Sequence, residues 1–330
     1  MHHEQHVHDT TIIGGGPAGL FATFYGGMRG MDIHLIESLP ELGGQLTALY
    51  PEKYIYDVAG FPNVKAKTLV KQLEEQALAF NPSVSLDTTV SQVEKLEEKL
   101  FQITTTRGVY FSKTVIITGG VGAFQPQRLP IDNALEYEGL HLHYSVTDIE
   151  TFRDKKVLIS GGGDSAVDWA LTLEAIAQEV TLVHRREKFR AHEQSIEQLN
   201  ASSVTLTTPY VISSLSGENG ELKQAEITDK DKTEGKTLDI DSLIVSHGFK
   251  SNLGPIQEWG LELQKKSIVV NSKMETNIEG IYAAGDITTH EGKVNLIALG
   301  FGEGPIAINH AKAYIDPKSK VQPKHSTSLF

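Results

Sequence analysis

The stretch that decides the fold is DTTIIGGGPAGL, Asp9 to Leu20, in which a short β-branched run breaks into glycines and then opens a helix. Gly14, Gly16 and Gly19 give the spacing G-x-G-x-x-G. The spacing has a physical reason. The first glycine makes a tight turn, the second lets backbone approach a pyrophosphate, and the third lets the helix press onto its strand. The helix N-terminus then aims free N–H groups and a partial positive charge at the phosphates. Three glycines among 30 also fit a plain βα turn, so the context decides.

Working outward, Leu20 to Arg29 is small and apolar, and Asp32 to Ile36 alternates like a strand that ends at Glu37. That acid lies 18 residues beyond Gly19, close to the spacing of about 20 at which a carboxylate accepts adenosine ribose hydroxyls. A solvated strand end is the competing reading. Pro40 to Pro62 is too rich in Gly, Pro and Tyr for a regular element, and a long loop in a compact protein is usually functional. Within it Gln45 offers both donor and acceptor, and Tyr50 offers a flat ring. Ordinary loop packing would account for either. Thr68 to Phe80 reads as an amphipathic helix, with Leu69, Leu73, Ala77 and Phe80 along one side. Strand-like segments follow at 83–93, 101–106, 109–111 and 114–118, closed by Gly119 and Gly120. Ahead of the first strand stand His2, His3, His6 and His8, where a frayed polar terminus is expected in preference to a metal site.

From Lys156 the opening pattern returns. VLIS, then Gly161, Gly162, Gly163, Asp164, Ser165 and Ala166, repeats strand, glycine turn and helix 147 residues after the first copy, with Ala166 in the third glycine's place. A helix over 166–177 leads to a strand over 180–184. Where the first copy has Glu37 this one has Arg185 and Arg186, with Arg190 one turn beyond. A carboxylate suits a ribose diol, whereas guanidinium forks take a 2′-phosphate in bidentate fashion, so the second unit should prefer NADP to NAD. A charged exit from the strand is the competing reading. Segments 204–211, 222–228 and 238–245 read as a strand meander closed by Ser246, His247 and Gly248. His247 is read as structural in preference to a catalytic base. The two Gly-containing exits then form paired crossings between domains. Later, IYAAGD (281–286) is a short strand whose Asp286 can accept from a hydroxyl chain such as ribitol. A helix is expected to start near Gly304–Pro305, with proline in its first turn, and to run to about Tyr314. The backbone of 295–299 before it can donate to an electron-rich ring edge. The tail from Asp316 to Phe330 has the composition of a disordered segment.

Composition bounds the rest. A chain of 330 residues, 39% hydrophobic and 22% charged, reads as globular with two domains. No run of about 18 apolar residues would span a bilayer, and no basic-then-apolar leader opens the chain, so a cytoplasmic protein with no membrane partner is expected. There is no cysteine, which excludes disulfides, thiolate metal sites, a cysteine nucleophile and a dithiol relay within this chain. The net charge of −12 argues against nucleic acid.

One acid-selected and one arginine-selected dinucleotide unit, followed by a late G-D strand, imply an FAD site and an NADPH site in one chain. The fold expected is α/β, with two Rossmann-like three-layer nucleotide-binding domains. Residues 1–119 with 249–330 bind FAD through Gly14, Gly16 and Gly19, and residues 120–248 bind NADPH through Gly161, Gly163, Ala166, Arg185, Arg186 and Arg190. The order GGGPAG, GGQL, a T-G-G strand end, GGGDSA, HRREKFR and AAGD resembles the low-molecular-weight thioredoxin reductases over nearly the whole chain. One feature departs: that family carries a C-x-x-C ahead of its second glycine motif, and the matching stretch here is Tyr144, Ser145, Val146 and Thr147, then Asp148. Dithiol exchange is therefore chemically impossible.

With its tail beyond the last helix, the sequence more closely resembles the thioredoxin-reductase-like ferredoxin–NADP reductases. That resemblance implies FAD contacts at Glu37, Gln45, Tyr50, Val90, Phe124, Asp286 and Thr327, with Tyr50 stacked on one flavin face and His325 on the other. It implies a homodimer whose tail, about 316–330, covers the flavin, and an NADPH domain that rotates about its two crossings. It also implies hydride transfer from NADPH to FAD, then single electrons to ferredoxin or flavodoxin. Such chemistry belongs to the cofactor and needs no protein base. A dehydrogenase acting on a quinone or other small acceptor, and a slow flavin/NADP redox sensor, remain as alternatives.

Overall fold

The computed structural model describes residues 6–120, 122–229, 233–322 and 327, with the side chains of 123–125, 250 and 251 outside the description. The chain divides into two compact units, residues 1–124 with 251–330, and residues 125–250. The crossings Ala123–Pro126 and Phe249–Asn252 pair as a two-stranded sheet.

The first unit is built on a seven-stranded sheet. Val7–Ile13 runs parallel to Ile33–Ile36 on one side and to Gly108–Ile117 on the other, and Ser83–Ser85 lies outside Ile33–Ile36. The far edge of Gly108–Ile117 is shared. Its first half pairs antiparallel with Leu100–Thr105, which continues to Val90–Glu97, while Val115 to Ile117 pair in parallel with Ile281–Ala283. What the sequence splits at 109–111 and 114–118 is thus one strand of ten residues. Ile13, Ile36, Ile117 and Ala283 stand in register. The glycine turn, Glu37, Thr118 to Gly120 and Gly285–Asp286 therefore leave the same sheet edge, the carboxyl end at which α/β sheets bind ligands.

The leading helix Pro17–Met28 has proline at its start, where the missing N–H costs nothing. Helix Ile297–Ile315 packs on it, and here the expected start at Gly304–Pro305 is corrected: the helix begins at Ile297 and Pro305 sits inside it. Pro305 removes the N–H that would bond the Phe301 carbonyl. The helix survives because Gly300, Glu303, Gly304, Ala307, Ile308 and Ala311 form one continuous buried stripe. Along it the backbone comes so close that a Cβ on Gly300 or Gly304 would lie 3.1 or 3.2 Å from those of Ala18 and Ala22.

Two further expectations are corrected. The loop 40–62 is not wholly irregular, since Gln45–Leu49 forms a helical turn and Tyr54–Ile55 pairs with Val64–Lys65. The described part of the N-terminus is not frayed: the first strand starts at Val7, and His8 is buried. His2 and His3 lie outside the described residues.

The second unit has five parallel strands in the order Leu142–His143, Ser242–Ser246, Lys156–Gly161, Glu179–Val183 and Thr205–Thr207. A separate antiparallel sheet contains Tyr210–Glu218, Glu221–Asp229 and Gly235–Asp239. The expected meander is corrected at both ends. Segment 204–211 breaks before Tyr210, because Pro209 has no N–H for a ladder. Segment 238–245 turns at Ile240–Asp241, whose carboxylate accepts from the Lys156 N–H at 2.8 Å, and the chain then re-enters the parallel sheet. The helix after the second glycine turn spans Asp164–Leu173. Among the described residues, no helix is long and apolar enough to cross a membrane.

Candidate functional site

In the first unit, the turn after Val7–Ile13 leaves no space for side chains at two of its glycines. Gly14 has φ +115°, and a Cβ there would lie 2.6 Å from the Thr118 carbonyl oxygen; a Cβ on Gly19 would come within 1.9 Å of the Gly14 carbonyl oxygen. Gly16 has nothing within 4 Å of its Cβ position and lines the adjoining cavity. Packing therefore accounts for the first and third glycines, and open access for the second. Thr118 closes the turn by donating its hydroxyl to the Gly14 carbonyl at 2.8 Å.

Glu37 is held rigidly at the end of its strand and is only 6% exposed. Oε2 accepts from Gly15 N–H at 2.6 Å; Oε1 accepts from Leu39 N–H at 2.9 Å and from the Ser38 hydroxyl at 3.1 Å. A carboxylate has about four lone-pair positions, so the fixed group keeps capacity for a hydroxyl presented from the cavity. This is not the geometry of a solvated strand end.

The cavity has a volume of about 340 Å³ and brings together Gly14 and Gly16, Glu37, Gln45 and Tyr50, Val90, and Asp286 from separated stretches of the sequence. Gly19 lies behind the turn. The side chain of Phe124 and all of His325 lie outside the described residues, and Thr327 is exposed and does not line the cavity. Burial pushes the Tyr50 phenol up, helped by the nearby Asp286 and Asp57 charges, so the ring stays neutral. Burial also pushes the Asp286 carboxyl up, with Lys293 opposing and Glu303 reinforcing the shift.

Sequence reasoning missed two parts of this site. One is an apolar wall of Leu253, Pro255, Ile256 and Trp259, supplied where the chain returns from the second unit. The other is a buried ion pair behind Gly285–Asp286. Lys293 Nζ donates to both Glu303 oxygens at 2.6 and 2.7 Å and to the Gly285 carbonyl at 3.0 Å, while Gly285 N–H donates to Glu303 Oε2 at 2.7 Å. The two side chains are 6% and 3% exposed. A signal existed: Glu303 is a lone acid on a stripe otherwise made of small and apolar residues.

The second glycine turn lies in the other unit. A Cβ on Gly162 would lie 2.2 Å from the His184 ring, so the ring lies directly on the turn, stacked in turn with Phe189 at 5.4 Å. Arg190 N–H donates to the Gly162 carbonyl at 2.6 Å, which folds the 185–190 loop back beside the turn. Arg185, Arg186 and Arg190 on this loop are exposed, and among the described residues none of them forms an ion pair. Burial lowers the His184 pKa, and the neighbouring Arg185 and Arg186 lower it further. His247 sits 2.9 Å from the Ser160 hydroxyl with its pKa lowered by burial and then by Arg185.

These features fit the two nucleotides differently. The first turn, with a fixed carboxylate and an apolar cavity, suits a neutral ribose and a flat ring; the second, with free guanidinium groups, suits a phosphate. Residues 8–310 match the family described as pyridine nucleotide-disulphide oxidoreductase. The chain is 57% identical over 327 residues to a ferredoxin–NADP reductase of Geobacillus thermodenitrificans, covering 99% of this chain and 98% of that one. It is also 57% identical over 330 residues to ferredoxin–NADP reductase 2 of Bacillus subtilis, covering 100% and 99%. Among solved structures, the thioredoxin reductase of Lactococcus lactis is similar with a TM-score of 0.77 at 25% identity, covering 93% of this chain and 99% of that one.

Proposed function

This chain belongs to the pyridine nucleotide-disulphide oxidoreductase family and is an NADPH-dependent flavoprotein reductase, and on that premise we propose that its electron acceptor is ferredoxin, with flavodoxin as a second carrier. The observation that carries the choice of acceptor is the complete lack of cysteine. A family member without a thiol has no route for passing electrons to a disulfide.

Bound FAD supplies the hydride acceptor and the one-electron donor, and the chain supplies binding and orientation. The Gly14–Gly19 turn and the N-terminus of Pro17–Met28 hold its pyrophosphate, Glu37 accepts from its adenosine ribose, and Asp286 accepts from its ribitol chain. Tyr50, whose ring lines the cavity, would supply a flat neutral surface for the flavin. In the second unit the turn at Gly161, Gly163 and Ala166 holds the NADPH pyrophosphate, and Arg185, Arg186 and Arg190 take its 2′-phosphate. The hydride chemistry itself calls for no protein base, and burial lowers the pKa values of His184 and His247, with Arg185 adding to both shifts.

The active form is a homodimer in which residues 316–330 of one protomer cover the flavin of the other. The start of the tail is held on its own unit, where Arg29 donates to the Ser319 hydroxyl at 3.2 Å and the Lys320 carbonyl at 2.8 Å. Truncation before Pro323 should change ferredoxin reduction and flavin reactivity toward small acceptors to different extents, read by steady-state assays with each acceptor.

The deciding experiment is anaerobic reduction of purified ferredoxin by NADPH with this protein, alongside its visible spectrum. Negligible ferredoxin turnover with rapid quinone turnover would replace the proposal with a small-molecule dehydrogenase. Flavin that stays oxidised for many seconds after mixing with NADPH would replace it with a sensor.

A further inference from the structure

We propose that His6, His8 and Asp32 form a binding site for one divalent transition cation of the zinc type, away from the nucleotide sites. His8 lies on the first strand and His6, two residues earlier in the extended chain just ahead of it, falls on the same face. Both reach Asp32 at the start of the adjoining strand. His6 Nε2 lies 2.7 Å and His8 Nδ1 3.1 Å from the same atom, Asp32 Oδ2. All three candidate ligand atoms lie within 4.8 Å of one another, the one such group among the described residues. Two imidazoles and a carboxylate are a ligand set that zinc accepts in open, water-completed sites.

The fit can be put in distances. Zinc bonds of about 2.0 Å at tetrahedral angles require ligand atoms about 3.3 Å apart. Against the present 2.7 and 3.1 Å, the nitrogens need to separate from Oδ2 by about 0.6 and about 0.2 Å, and the two nitrogens, within 4.8 Å of each other, need to come to the same spacing. His8 and Asp32 are already fixed. The His8 ring, 9% exposed, packs at 4.8 Å on the His34 ring, which is itself tied to the Ser85 hydroxyl at 2.9 Å. The Asp32 N–H donates to Asp9 Oδ2 and its carbonyl accepts from Asp9 and Thr10 N–H. Lys113 Nζ, 2.7 Å from Asp9 Oδ1, neutralises that neighbouring acid. His6, 70% exposed, is the outer ligand and leaves that side of the site open for water. Ring packing and hydrogen bonds of this kind are what orients ligands in metal sites.

The test is calorimetric titration of ZnCl2 into the FAD-loaded full-length protein in chelator-treated buffer. The same titration is run on His6→Ala, Asp32→Asn and a His2→Ala/His3→Ala control. Wild type and the control should take up one zinc per chain and gain thermal stability from it, while His6→Ala and Asp32→Asn should bind at least about tenfold more weakly. NADPH oxidation should be unchanged in all three variants, and His6→Ala, altering an exposed side chain, keeps the test independent of folding. Absence of uptake by wild type, equal uptake by His6→Ala, or loss of uptake in the control would overturn the site.

Discussion

Replacing Lys293 by methionine tests whether the buried ion pair is what fixes the Gly285–Asp286 corner. The substitution keeps the unbranched stem and removes only the ammonium group, which bonds both Glu303 oxygens and the Gly285 carbonyl. Glu303 is then a carboxylate, 3% exposed, without its ammonium partner and left with the His290 ring at 3.2 Å and the Gly285 N–H at 2.7 Å. Removing one partner of a buried pair costs about 3–5 kcal/mol, because the remaining charge is left in a low-dielectric interior. With a urea slope of about 3 kcal/mol per molar, the unfolding midpoint should fall by about 1 M or more. The assay is urea titration of the holoprotein, following flavin release by fluorescence and backbone loss by circular dichroism. Lys293→Met combined with Glu303→Gln should recover most of the loss, since the glutamine carbonyl still accepts from Gly285 N–H and no charge remains. A midpoint shift under about 0.3 M, below about 1 kcal/mol at that slope, would refute the reasoning. So would a double variant as unstable as the single one.

Arg185→Ala with Arg186→Ala should lower kcat/KM for NADPH by about 10- to 100-fold per arginine, the equivalent of a charge-assisted hydrogen bond of about 1.5–3 kcal/mol, and spare NADH; equal losses for both nucleotides would contradict the 2′-phosphate role. Glu52 anchors the chain beside Tyr50 through Lys65 Nζ at 2.9 Å and through Lys67. Burial pushes its carboxyl up, but the hydrogen bonds from Lys67 and Lys65 outweigh this and hold it below its ordinary 4.5. A depressed carboxyl stabilises the fold above its unfolded pKa, and that contribution is lost as pH falls through the folded value. Glu52→Gln should therefore melt at a lower temperature than wild type at pH 7, with the gap closing below pH 4.5; a gap independent of pH would remove the ion pairs as its cause.

Much of this molecule was legible where its chemistry is local in sequence. A strand, three spaced glycines and a helix carry their own geometric logic, and the contrast between Glu37 and Arg185–Arg186 needed only the spacing from each glycine turn. What escaped depends on distant packing. Proline's preference for the first turn points to Pro305 as a helix start, yet contact with the Ala18 and Ala22 face outweighs one missing backbone bond. The Lys293–Glu303 pair spans two segments whose meeting only the fold determines. Ser242–Ser246 reads as part of the meander because nothing in its apolar run says which of two sheets it joins. His8 lost its appearance of a loose terminus only once His34 and Asp32 were beside it.

The divided edge of Gly108–Ile117 has a consequence for how this protein is made. Val115 to Ile117 wait for Ile281–Ala283, which the ribosome delivers more than 160 residues later. During that interval residues 125–250 contain every strand of their own two sheets and can close independently, as domains generally do during synthesis. The half-built first unit meanwhile presents unpaired backbone beside its glycine turn, an edge that invites wrong pairing. Supplying that strand in trans during synthesis should therefore raise the yield of intact protein.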